Sequence, residues 1–176
     1  EFEPYLEPGA SGLDLNASHT LGALSDGRPV LVTVPTPEGG PPIEVDLDIA
    51  ATIAGIVEGL LTSGASARID GKSMPLEPHH VGVTSSHRVM NSAIATALGP
   101  RAAHVRIDTP ERWQGLQKPV MIAVHPMSGV TSPSAFDLET GRLCVMASRH
   151  QAGLIVVSRD HVGTTLANYV PPAEQA

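Results

Sequence analysis

Arginines, amides and a threonine crowd the middle of this sequence, where residues 107–124 read IDTPERWQGLQKPVMIAV. Glu111, Arg112, Gln114 and Gln117 follow one another there within a single short loop. Such groups bind rather than attack. A guanidinium presents a fixed fork of donors that matches phosphate, and a carboxamide both donates and accepts without carrying charge. Within residues 88–118, Arg88, Arg101, Arg106, Arg112 and Lys118 stand against Asp108 and Glu111, a local balance of +3. Taken alone, a cluster of that size also describes an ordinary solvated surface. The sequence offers no nucleophile elbow and no glycine-rich phosphate loop of the G-x-x-x-x-G-K-[ST] type. Its eight histidines fall in no ligand spacing, and the single cysteine, Cys144, removes the usual zinc patterns, so no metal site is expected.

The elements that must hold the loop follow from local signals. Thr109 is suited to an N-cap, Pro110 to the first helical position and Glu111 to the first turn, so a helix starts here. Gly115 ends it within about two turns. Pro119 to Val124 then reads as a strand buried on both faces. A strand ending near Asp108 thus hands over to a polar loop, and in open α/β sheets ligands sit outside the carboxyl ends of strands.

The stretch D-T-P-E-R-W-Q-G-L-Q followed by an apolar strand resembles motif V of the superfamily 1 helicases, in the group containing the nonsense-mediated-decay helicase. VGVTSSHRVMNSAI (Val81 to Ile94) resembles motif IV, and GRLCVMASRHQAGLIVVS (Gly141 to Ser158) resembles motif VI. The order matches, and the three cover about half the chain. The resemblance implies the second RecA-like domain of such a motor, an AAA-type ATPase C-terminal domain without its own P-loop. ATP and Mg2+ would bind an N-terminal RecA-like domain of the same protein, and single-stranded DNA or RNA would be the track. Arg149 falls at the motif VI arginine that faces the partner domain's nucleotide; without the motifs a cation ending a helix would be the preferred account of it, and with them that preference reverses. Gln117, Arg88, Gly115 and Arg142 would complete the cofactor side, Arg142 pairing with an acid. Gln117 replaces a common glutamate but can still hydrogen-bond a ribose hydroxyl. Thr109, Arg112, Gln114 and His87 would touch nucleic acid. Met90 stands where many members have glutamine. Trp113 matches an aromatic position that could stack on a base, though packing against the following strand is the preferred reading.

Composition sets the frame. At 41% hydrophobic and 16% charged, the chain suits one α/β domain, and 3% aromatic content leaves Val, Ile, Leu and Ala to fill the core. The net charge of −7 argues against nucleic acid, yet residues 1–60 hold ten acids against Arg28 alone, while residues 61–176 hold ten bases against eight acids. The basic half is therefore the half that carries the motifs. No run reaches the length of a membrane span, and a cytoplasmic, monomeric domain is expected. Glu1-Phe2 is what a common cloning site encodes, so the expectation is an excised piece of a longer protein.

In chain order, residues 1–28 read as a loop or extended arm, 29–170 as the RecA-like domain and 171–176 as a tail. Strands are expected over Pro29–Val34, Val81–Thr84, Ala102–Ile107, Pro119–Val124 and Leu154–Ser158. Helices are expected from Asp46 to Thr62, from Ser86 to Leu98 with Ser86 as its cap, from Phe136 to Arg149 with Cys144 in the core, and from His161 to Tyr169. Residues 64–78 read as a polar loop, with His79 and His80 pointing apart. Five strands alternating with four helices imply a mostly parallel sheet covered on both faces.

Overall fold

The computed structural model describes residues 5–7, 24, 27–134, 137–138 and 140–169. Its frame is a five-stranded parallel sheet built from β2 (Val30–Val34), β5 (Val81–Thr84), β6 (Arg106–Asp108), β7 (Lys118–Val124) and β8 (His150–Arg159), in the order β2-β8-β7-β5-β6. Four helices, α1 (Leu47–Thr62), α2 (Arg88–Leu98), α3 (Thr140–Ala147) and α4 (His161–Ala167), alternate with these strands. The α/β class and the five-to-four rhythm are as the sequence implies.

The interior strands are buried on both faces because most of their positions are apolar. Val120 to Ala123 of β7 are at most 2% exposed, and Ile155 and Val157 of β8 are fully buried beside them. Helix α1 turns Ile49, Ala50, Ile53, Val57 and Leu60 inward at three-to-four spacing. Asp46 caps it by accepting the Ile49 N–H at 3.0 Å, and Gly64, with φ +71°, lets the chain turn out beyond Ser63.

Several expectations change. Residues 64–78 are not a loop: β3 (Ser66–Ile69) and β4 (Lys72–Pro75) form an antiparallel hairpin, joined on its outer side by β1 (Tyr5–Glu7). The turn is Asp70-Gly71, both with positive φ, which is the backbone twist that two-residue hairpins need. Part of the 1–28 arm is therefore strand and its Leu24 is buried in the core, while residues 1–4, 8–23 and 25–26 of the arm, Phe136 and the 171–176 tail lie outside the described residues. Ser86 does not cap α2, which starts at Arg88 with His87 at the N-cap and no side-chain cap bond. Met90, Ile94 and Leu98 face inward along this helix, and Val89 is left 48% exposed. Strand β6 begins only at Arg106, because Gly99–Ala103 coils into a 3₁₀ turn. Cys144 is exposed, on the outer side of α3. His79 and His80 share a 3₁₀ turn, so their ring centroids lie 4.0 Å apart rather than diverging. Among the described residues, no helix is long and apolar enough to cross a membrane.

Candidate functional site

The chain leaves β6 at Asp108, level with Thr84 at the carboxyl edge of the sheet, and must return to the amino edge before β7 starts at Lys118. It crosses in one 3₁₀ turn, Pro110–Trp113, where an α-helix was expected. Thr109 precedes the turn with extended backbone, Pro110 occupies its first position, and Arg112 N–H closes it onto Thr109 O at 3.0 Å. Gly115 takes φ +75°, a left-handed conformation that other residues enter at a cost. Trp113 is fully buried against Met121 and Leu154. A Cβ on Gly82 would lie 2.5 Å from both the Trp113 ring and Met121 Sδ, so the crossing lies directly on the sheet at that glycine. Trp113 is thus core and is withdrawn from any base; the Arg106 guanidinium stands 5.3 Å from its ring centroid.

Charges gather where the crossing starts. Arg142, expected to pair with an acid that the sequence does not specify, lies 3.9 Å from Glu111, and Arg106 and Arg112 approach Asp108 at 3.3 and 3.6 Å. The Glu111 carboxyl is held below the usual carboxylate range by its own main-chain N–H first, then by the Thr109 hydroxyl, with Arg142 and Arg88 adding their charge. Thr109, Glu111, Arg112, Arg142 and Arg88 therefore form one group at the carboxyl edge. His87 adjoins it at the start of α2, and Gln114 is exposed on the return.

Arg149 and Gln117 lie elsewhere. The Lys118 N–H donates to Arg149 O at 2.9 Å, and Lys118 is in register with His150, so both residues mark the amino edge. Arg149 does not end a helix, since α3 stops at Ala147; its Nε and Nη2 donate to Ser148 Oγ at 3.2 and 2.8 Å. Thr84, Ala123 and Val156 align across the sheet, and Arg149 precedes Val156 by seven residues of chain, about 23 Å along a strand. In a parallel sheet the loop after β5 and the loop before β8 must open on opposite edges. The residues expected on the cofactor side are therefore divided, with Arg149 and Gln117 at the amino edge and Arg88 and Arg142 at the carboxyl edge.

Sequence reasoning passed over a cleft at the carboxyl edge between β5 and β7. Ser85, Ser86, His87 and Met90 line one wall, with His125 and Ser128 facing them and the segment from Pro42 to Asp46 closing the side. That segment sits tightly: a Cβ on Gly129 would meet Ile43 O at 2.3 Å. Asp46 is anchored by Arg159, whose Nε and Nη2 donate to its two oxygens at 2.7 and 2.6 Å. His125 accepts the Met127 N–H at Nδ1, 3.2 Å, and burial pushes its pKa down. The signal that could have found the cleft was the carboxyl-end rule, applied to β5 and β7 as it was to β6. Arg159 and Asp46 are 113 residues apart and carry no local signal.

No protein-family model and no curated protein matches the sequence. Among solved structures, the chain is similar to one described as the C-terminal domain of a possible DNA helicase from Lactobacillus plantarum WCFS1. The likeness has a TM-score of 0.49 and 14% identity over 94% of this chain and 96% of that one.

Proposed function

We propose that the chain is the second RecA-like domain of an ATP-dependent superfamily 1 helicase or translocase. One observation carries the reading: the three motif-like stretches fall on successive crossings of a single parallel sheet, and the crossing between β6 and β7 delivers Gln117 beside Arg149. In this reading Arg149 reaches out of the amino edge to a nucleotide bound, with Mg2+, on the P-loop domain of the longer protein. Charge builds on the γ-phosphate oxygens during phosphoryl transfer, and the guanidinium meets it with two hydrogen bonds, a contribution of about 10³–10⁵ in rate. Its resting partner is the neutral Ser148 hydroxyl, so swinging away costs on the order of 1 kcal/mol. Gln117 would hold a ribose hydroxyl, and the bend at Gly115 sets where that amide stands. Thr109, Arg112, Gln114, His87 and Arg88 would grip a single strand at the opposite edge, with Arg142 positioning Glu111.

Arg149→Ala in the longer protein tests this. Nucleic-acid-stimulated kcat should fall by roughly 10³ while ATP affinity changes little, because the contact forms where charge develops. Arg149→Lys should also fail, since an ammonium keeps the charge and loses the fork. A fully active alanine variant would remove the reading.

A second reading, a RecA-like or Rossmann-like module that binds nucleic acid or protein without catalysis, draws on Met90. That side chain is 3% exposed and its sulfur accepts the Asp46 N–H at 3.3 Å, so it packs where a polar contact would be needed. Turnover unaffected by Arg149→Ala, with strand binding intact, would favour it.

A further inference from the structure

The cleft between β5 and β7 contains hydroxyls that the protein leaves without partners. Ser128 is 4% exposed and its Oγ has no hydrogen-bond partner; Ser86 Oγ is equally enclosed and equally unpartnered. Both residues line the cleft, which is shallow and opens to solvent. A buried hydroxyl left unpaired costs roughly 1–3 kcal/mol, so two beside one opening favour a partner that enters it.

The other donors point to the sign of that partner. Helix α2 begins here, and its first-turn amides have no side-chain cap, because Ser85 Oγ is spent on His87 O and Asn91 Oδ1 at 3.0 and 2.8 Å. The free amides and the helix dipole favour an anion. His125 carries its hydrogen on Nε2 when neutral, since Nδ1 accepts from Met127 N–H, which makes the ring a donor. Of the two acids on the lining, Asp46 has both oxygens engaged by Arg159, and Glu44 is exposed.

We propose that this cleft is a phosphate-binding subsite, which takes a phosphate group on Ser86, Ser128 and the first-turn amides of α2, with His125 as a further neutral donor. A phosphate offers several acceptor oxygens and negative charge to neutral donors, which this set matches in kind. The subsite stands whether or not Arg149 serves a nucleotide, since the two occupy opposite edges. The phosphate is either free or part of a nucleic-acid backbone.

The test follows the amide resonances of Ser86, Met90 and Ser128 in the chain during titration with inorganic phosphate, with sodium chloride at matched ionic strength as control. A parallel titration uses an eight-nucleotide single strand without terminal phosphate. Phosphate-specific shifts identify a free-phosphate site, and shifts with the oligonucleotide identify a backbone site; either supports the proposal. Ser128→Ala and Ser86→Ala should each weaken binding about tenfold or more, with the melting temperature held or raised because an unpaired hydroxyl is removed. The proposal is overturned if neither ligand moves these amides beyond chloride, or if both variants bind like the parent chain. A fall of several degrees in the Ser128→Ala melting temperature would also overturn it, since that hydroxyl would then have an internal partner.

Discussion

Arg159, the last residue of β8, forks its guanidinium onto the Asp46 carboxylate that caps α1, with both residues at most 5% exposed. The same Asp46 Oδ1 accepts the Ile49 N–H, and Arg159 also donates to Pro35 O and, at 2.9 Å, to Asp48. One ion pair thus fixes the helix start, the exit from β2 and the end of β8 together. The Arg159 pKa is raised, first by its hydrogen bonds to Asp46, so the guanidinium stays charged at every working pH.

Breaking that pair from one side should be costly. Arg159→Ala leaves a carboxylate buried without compensation, and a loss of about 3–5 kcal/mol is expected by urea unfolding. Replacing both partners with apolar residues, Asp46→Leu with Arg159→Met, should recover much of the loss, limited by the lost cap at about 1 kcal/mol. A single variant as stable as the parent would show that the pair contributes little.

Gly82 and Trp113 should couple. Gly82→Ala places a methyl 2.5 Å from the Trp113 ring and Met121 Sδ, both fully buried, and overpacking of this kind costs about 1–3 kcal/mol. Trp113→Phe removes the six-membered ring atoms that the methyl would strike. The double variant should therefore be less destabilised than the two single losses added together, and strict additivity in the cycle would refute the contact.

Acid should loosen the carboxyl edge through His125. Burial lowers its folded pKa below the unfolded value near 6.5, so the unfolded chain binds more protons as pH falls. Stability from this group is complete above pH 6.5 and is lost as pH drops toward the folded pKa. His80 is lowered as well, first by burial and then by His79, so the parent alone does not isolate one ring. His125→Asn keeps an acceptor for the Met127 N–H without titrating. Its unfolding free energy should fall less than the parent's between pH 7.5 and 5.5; parallel curves would exclude His125.

Much of the frame was legible because it rests on short-range signals. The three-to-four spacing of Ile49, Ile53, Val57 and Leu60 marks α1, the uninterrupted run from Val120 to Val124 marks a doubly covered strand, and Gly115 marks the end of the crossing. The β3–β4 hairpin was legible too, in Asp70-Gly71, but the polar residues around it outweighed the turn. Ser86 misled because a hydroxyl before a helical pattern is a good cap in general, whereas here the extended backbone runs through His87. Which edge each arginine occupies depends on strand direction and register, and no local pattern encodes that; Arg88 and Arg149 look alike in sequence and face opposite ways in the sheet.

Under the proposed function, that opposition predicts a separation of binding from turnover. Backbone contacts to a single strand release counterions, and log affinity falls with log salt by about 0.7 for each phosphate neutralised. Arg88 and Arg112 stand exposed at the carboxyl edge, so Arg88→Ala and Arg112→Ala should each weaken single-strand binding by the chain and flatten its salt dependence by about 0.7. Arg149→Ala should leave both quantities unchanged, since its guanidinium lies at the amino edge against Ser148. Overall affinity should be weak, because the ten acids of residues 1–60 repel the strand at long range. Fluorescence anisotropy between 50 and 200 mM salt, about a fourfold range over which such slopes are resolved, reads all three variants. A loss of salt dependence in Arg149→Ala equal to that in Arg88→Ala would place a phosphate contact on the amino edge and remove the division of labour between the edges.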